Sequence, residues 1–321
     1  RRSEPEFYFK KALSWSATTM GGSSFRITNN KTSSTAAPSL YFKNDDDLYV
    51  SLALLNSCIS QVYMDLLNPT VGLKLANVEA VPAIKFEKMA VLLRSLCENN
   101  IALSKEDWDS YEISWDFEQH PLVKRKELHS LEKCYLEWKT ECENRFLKMK
   151  DNEEHINAVI LKEYGLENEV ACEVSEKSIS VHRIFDTKED IPVSMDGSYY
   201  VRTKRDEIVS LISYSVGCMF GRYSLDKNGI VNAGDSLNAN EYVSFSVDKD
   251  NIIPICDDEY FKDDIVGRFV EFIKIVYGVD SLDDNLKFIA NALGGKGSPR
   301  EIIRNYFVND FYKEHCVTYS G

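Results

Sequence analysis

Residues 51–84, SLALLNSCISQVYMDLLNPTVGLKLANVEAVPAI, fall into two halves of different periodicity. In the first half Leu52, Leu55, Ile59, Val62 and Leu66 recur at helical spacing, one apolar stripe for burial against a sheet. Asn68-Pro69 stops that helix, because a proline ring disfavours helical backbone in the residue before it. From 71 to 84 short apolar groups alternate with Gly72, Asn77 and Pro82, as small strands and turns do. Helix, clipped loop and strand end make a compact docking unit, and no catalytic spacing lies within it.

Upstream, residues 5–42 are aromatic, small and polar. Residues 25–28 read as a strand and Asn29-Asn30-Lys31 as a turn, while Gly21-Gly22 lets backbone come close to what lies opposite. Serines, threonines and cations beside Trp15 suit contacts to phosphates and base edges, although an ordinary loop has the same composition. Residues 1–44 hold 7 Lys/Arg against 2 Asp/Glu, and residues 1–95 hold 11 against 8; the rest holds 27 against 43. A basic end on an acidic body of net charge −13 either faces a polyanion or is a solvated lysine-bearing surface.

Downstream, 86–97 is an amphipathic helix and 104–115 another helix start, with Ser104 and Asp107 in capping-box spacing. Residues 122–164 form one long helix or a helical hairpin. Leu128, Leu131, Tyr135, Trp138 and Cys142 follow a heptad seam, Asp151-Asn152 marks a candidate break and Gly165 a stop. Residues 167–206 are a linker or small sheet insertion. Further helices are expected at 208–220, 264–277 and 282–293, and after Ser298-Pro299-Arg300-Glu301, which unites an N-cap, a first-turn proline and a capping-box glutamate. The expected fold is α+β and multidomain: a small α/β recognition-like domain (1–95), a helical spacer or coiled hairpin (96–170) and a mostly helical C-terminal domain (171–321).

The 321 residues, 44% hydrophobic and 28% charged, suffice for two or three cores. No apolar run reaches the length of a membrane span, and eight scattered cysteines without a C-x-x-C pair fit a reducing compartment; a cytoplasmic location without membrane contact is the expectation. The chain opens Arg1-Arg2-Ser3-Glu4 and reads as an excised piece of something longer. Gly295-Lys296-Gly297 lacks the P-loop frame, and Asp226-Lys227-Asn228-Gly229 lacks the ligand positions of a calcium loop. Acidic clusters at 257–259 and 263–264 suit a metal less than they suit helix starts. The five histidines have no paired spacing, so neither a catalytic nor a metal residue is expected.

Seven runs in order carry a resemblance: WSATTMGGSSFRI (15–27), LLNS…LLNPTVG (54–72), KEDWDSYEISWDFEQHPL (105–122), INAVILKEYGL (156–166), SLISYSVGCMFGRYSLD (210–226), NIIPICDDEYFKDDIVGRF (251–269) and REIIRNYFVNDFYKEHC (300–316). Together they resemble the C-terminal part of the PglX family, adenine-specific DNA methyltransferases of BREX phage-defence systems. The runs at 54–72 and 156–166 also resemble recognition domains of type I and type IIG restriction-modification enzymes. The family implies an upstream S-adenosylmethionine-binding methyltransferase domain, then a target-recognition domain, then a helical domain. The adenine-holding Asn/Asp-Pro-Pro-aromatic loop is approached only by Asn68-Pro69-Thr70, and no strand followed by G-x-G is available for the cofactor. The chain reads as truncated at its front and ends before the family usually does.

The expectation is thus a non-catalytic target-recognition fragment, without its own cofactor, that binds double-stranded DNA. Its candidate contacts are Trp15, Ser23, Ser24, Phe25, Arg26, Lys31, Thr70 and Lys74, with arginine reading guanine and lysine meeting phosphate. The rival is an assembly module, whose acidic part binds other proteins of the defence system.

Overall fold

A computed structural model describes residues 5–19, 22–68, 70–84, 86, 88–234 and 238–319; residues 1–4, Gly21 and Pro69, named above, lie outside the described residues. In chain order the strands and helices are β1 (Ala12–Trp15), β2 (Phe25–Thr28), β3 (Ser39–Leu40), α1 (Asp45–Asn56), α2 (Cys58–Leu67), α3 (Leu75–Glu79), α4 (Ala90–Trp108), α5 (Pro121–Lys124) and α6 (Leu131–Tyr164). There follow β4 (Arg183–Phe185), β5 (Val201–Thr203), α7 (Lys204–Met219), α8 (Ile265–Tyr277), α9 (Leu282–Leu293), α10 (Pro299–Tyr306) and α11 (Tyr312–Tyr319). The chain is α+β, with small sheets and a mostly helical C-terminal part.

Two compact units form, each from two stretches: Arg1–Leu103 with Leu147–Ile179, and Ser104–Phe146 with Ser180–Gly321. This division differs from the consecutive segments 1–95, 96–170 and 171–321. The two halves of α6 serve two cores. Leu131, Tyr135, Trp138 and Cys142 join the second unit's core, whereas Ile156, Val159, Ile160 and Leu161 join the first unit's.

In the first unit a three-stranded antiparallel sheet runs in the order β2-β1-β3, with Trp15 opposite Phe25 and Ser14 opposite Arg26. Leu13, Trp15 and Phe25 pack with Leu48, Leu52 and Leu55 of α1. Asn44 caps α1 by accepting from the Asp47 amide at 2.8 Å, and three aspartates occupy the first turn, where the helix dipole favours them. The expected single stripe from Leu52 to Leu66 is broken. Ser57 takes extended backbone and donates its hydroxyl to the Leu54 carbonyl at 2.6 Å, so α2 leaves α1 at 70°. Ile59 stays buried, but Val62 and Leu66 are turned outward. The expected strands at 71–84 are likewise replaced: only Gly72 makes a bridge, to Thr18, and α3 follows, its Lys74 amide held by Asn77 Oδ1 at 3.1 Å.

On the same unit's part of α6, burial pushes the Glu153 carboxyl up to about 7, and the neighbouring Glu154 charge adds to the effect. The native chain keeps a proton there that the unfolded chain, at its ordinary 4.5, has released. Stability contributed by that proton is present below this window and is lost as pH rises through it. Glu153→Gln is therefore expected to raise the thermal midpoint above pH 7 and to leave it unchanged at pH 4. Thermal melts over a pH series measure the difference; a gain independent of pH would refute the assignment.

In the second unit, α7, α8, α9 and α10 surround the first half of α6, and β4 pairs with β5 in parallel. Two of the expected caps form: Ser298 with Glu301 opens α10 ahead of Pro299, and the buried Asp264 opens α8, whereas Asp257-Asp258-Glu259 stands at no helix start. Gly165, at φ +69°, ends α6. Three further expectations fail. Leu128 lies in a 3-10 turn ahead of α6 and is exposed, outside the seam. α6 runs through Asp151-Asn152 without a break, because the buried Asn152 amide donates to Asn99 and Asn100 at 2.7 Å. Asp107 is no cap either. α4 continues through Ser104, and the Asp107 carboxylate is buried against His182 (2.7 Å) and Arg145 (3.5 Å). Among the described residues no single helix is long and apolar enough to cross a membrane.

Candidate nucleic-acid interface

Beyond Trp15 the chain of β1 stays extended and gathers two other segments. The Ala17 amide donates to Ala36 O at 2.9 Å, the Leu73 amide to Ala17 O at 2.8 Å, and the Thr19 amide to Val71 O at 3.0 Å. The loop carrying Thr70 and Lys74 is thereby tied to the residues that follow Trp15, a juxtaposition across more than fifty residues that spacing alone does not reveal. Trp15 fixes it from beneath, with its indole N–H donating to Leu73 O at 3.1 Å.

The eight candidate contacts divide by burial. Trp15 and Phe25 are 1% and 4% exposed, their rings 5.5 Å apart in the core. As neighbours on the inner face of the β1–β2 pair they form a buried floor beneath these strands, packed against α1, and their rings are not presented to a groove. Ser23 is half-buried; Ser24, Arg26, Lys31, Thr70 and Lys74 are exposed. Arg26 follows Phe25 in β2 and so points the opposite way, as alternation requires. Lys31 stands after the left-handed Asn30, with its carbonyl accepting from the Phe9 amide at 3.2 Å.

Charge separates the exposed cations further. Lys11 is paired with Asp45, and Arg94 with Asp46 and Glu98. Among the described residues Arg26, Lys31 and Lys74 have no carboxylate partner. The first unit carries 15 Lys/Arg against 17 Asp/Glu and the second 23 against 34, so these three cations, like the exposed Lys10, Lys43 and Lys88, stand unpaired among the described residues of the less acidic unit.

Asn56, which carries no motif, positions this surface. At the end of α1 its side chain accepts from the Phe25 amide and donates to the Phe25 carbonyl, both at 2.9 Å. It thus occupies the outer edge of β2 at the residue between Ser24 and Arg26, and satisfies groups that an edge strand leaves open. An asparagine at a helix end gives no sequence signal for such a clamp.

The Asn68 side chain is engaged by Thr70 through both its nitrogen and its oxygen. Asn68 Nδ2 donates to Thr70 O at 3.0 Å, and Asn68 Oδ1 accepts the Thr70 hydroxyl at 2.9 Å. Among the described residues no group of three His, Cys, Asp or Glu side chains is placed to hold a metal ion.

No family model matches the chain. Pairwise similarity is extensive. The chain is 36% identical over 323 residues to an adenine-specific methyltransferase, PglX, of Lacticaseibacillus casei (strain Zhang), covering 98% of this chain and 25% of that protein. It is 30% identical over 331 residues to the adenine-specific methyltransferase BrxX of Escherichia coli O9:H4 (strain HS), covering 98% and 27%. The chain thus spans about a quarter of the length of these relatives, and the resemblance to the PglX family holds over nearly all of it.

Proposed function

We propose that this chain, a relative of the PglX and BrxX adenine-specific methyltransferases, is a DNA target-recognition part of such an enzyme in a phage-defence, restriction-modification setting. The observation that carries the proposal is that Arg26, Lys31 and Lys74 are exposed and, among the described residues, without carboxylate partners, on the unit whose core holds Trp15 and Phe25. On this reading Arg26 reads a guanine edge, Lys31 and Lys74 meet phosphates, and Ser24 and Thr70 add hydroxyl contacts. S-adenosylmethionine and the adenine-holding loop are assigned to the rest of the parent enzyme, acting in the cytoplasm, because the engaged Asn68 amide does not fit the flipped base.

The test is binding of labelled duplex DNA across a salt series. Affinity should fall steeply with salt, and each of Lys31→Ala and Lys74→Ala should flatten the log–log slope by about 0.9. Arg26→Ala should cost about 1–3 kcal/mol and relax preference at one base pair. Binding that these substitutions leave untouched would defeat the proposal. An assembly role is the second reading, favoured by the more acidic second unit.

A further inference from the structure

Two of the four tryptophans are core residues, Trp15 and Trp138, each 1% exposed; Trp108 and Trp115 are 52% and 94% exposed. Both exposed rings belong to one short stretch, 108–117, together with Ile113, 46% exposed. Exposure here is not looseness. Tyr111, Glu112, Ser114 and Phe117 are buried between the exposed positions. Glu112 Oε2 accepts the hydroxyls of Ser213 and Tyr319 at 2.8 and 2.9 Å, and Ser114 donates to Asp109 at 2.6 Å. Phe117 packs edge-on against Tyr214 and Tyr223. A solvent-facing tryptophan on a backbone fixed by buried neighbours is an anchor ordered before binding, which lowers the entropic cost of association.

The surroundings select the partner. Glu106, Asp109, Asp116 and Glu118 lie within or beside the stretch, where Lys105 bonds Asp109 and Asp116 and the buried Arg145 bonds Glu106, so carboxylates outnumber the cations that meet them. An acidic rim repels phosphates, so these rings are not base-stacking platforms. We propose that 108–117 is a protein-docking knob, whose partner presents an apolar groove bordered by lysine or arginine. Trp115 inserts into the groove while Asp116 and Glu118 meet the basic border. The site lies on the second unit and is independent of the DNA surface proposed above.

A fluorescein-labelled 18-residue amphipathic leucine–lysine helix, which presents an apolar stripe between ammonium groups, is the probe. Anisotropy should show binding to the full chain. Trp115→Ala should weaken it by about tenfold or more, Trp115→Phe should retain part of it, and Asp116→Lys with Glu118→Lys should weaken it. A leucine–glutamate helix of the same length and pattern should not bind. At 94% exposure Trp115→Ala leaves the fold intact, which an unchanged thermal midpoint verifies. Absent binding, equal binding by Trp115→Ala, or displacement of the peptide by duplex DNA in a Trp115-dependent way would overturn the proposal. Self-association abolished by Trp115→Ala would also overturn it, by making a second copy the occupant.

Discussion

Trp15→Ala is expected to destabilise the first unit by about 3–5 kcal/mol, the range for truncating a large buried aromatic side chain. The side chain is 1% exposed, packs on Phe25, and donates to the Leu73 carbonyl, which would lose its partner. Two of the segments gathered beside it would lose their common support. Trp15→Phe keeps most of the apolar area and gives up the hydrogen bond, at a cost of about 1 kcal/mol. Urea unfolding distinguishes the two, and DNA affinity gives the functional comparison. With the tryptophan as floor, Trp15→Phe binds duplex DNA as the parent does, and Trp15→Ala loses binding along with its fold. A Trp15→Ala protein of parental stability and lost affinity would instead make the indole a direct DNA contact.

Trp15 also marks the limit of what the sequence discloses. Composition around it suggested a surface, because tryptophan beside serine, threonine and cations fits a base-contacting loop as well as a sheet. Pairing with β2 and the turn of α2 at Ser57 decide otherwise, and both depend on partners that are distant or on a single hydroxyl. The helices of the second half were legible because their signals are local: a capping box at Ser298, an aspartate before α8, and apolar periodicity in α6. Local signals mislead where a distant group competes for the same side chain. Asp107 has capping-box spacing from Ser104, yet Arg145 and His182 claim its carboxylate and the helix runs on. Of the site, the cations were readable from the chain. Their lack of carboxylate partners, and the clamp by Asn56, were not, since both are properties of neighbours in space.

Arg145→Ala is expected to cost the second unit about 3–5 kcal/mol, the penalty for leaving a buried charge without its partner. The guanidinium is buried over the Trp138 ring, 5.2 Å from its centroid, and donates to Glu106, Glu141 and Asp107 at 3.0, 3.1 and 3.5 Å. Asp107, itself 3% exposed, would keep only His182. Arg145→Lys should recover little, because one ammonium cannot span three carboxylates or stack on the indole as a planar fork does. Removing both charges, with Arg145→Met and Asp107→Leu together, should recover a large share, since the cost lies in the unpaired ion more than in the pair. Urea unfolding of the three variants gives the comparison; an Arg145→Ala protein within about 1 kcal/mol of the parent would show that the network is solvated. Asp107 immediately precedes Trp108, so the same loss should loosen the 108–117 stretch, seen as faster amide exchange there. The buried ion network at the end of α4 would then be what holds an exposed tryptophan in place.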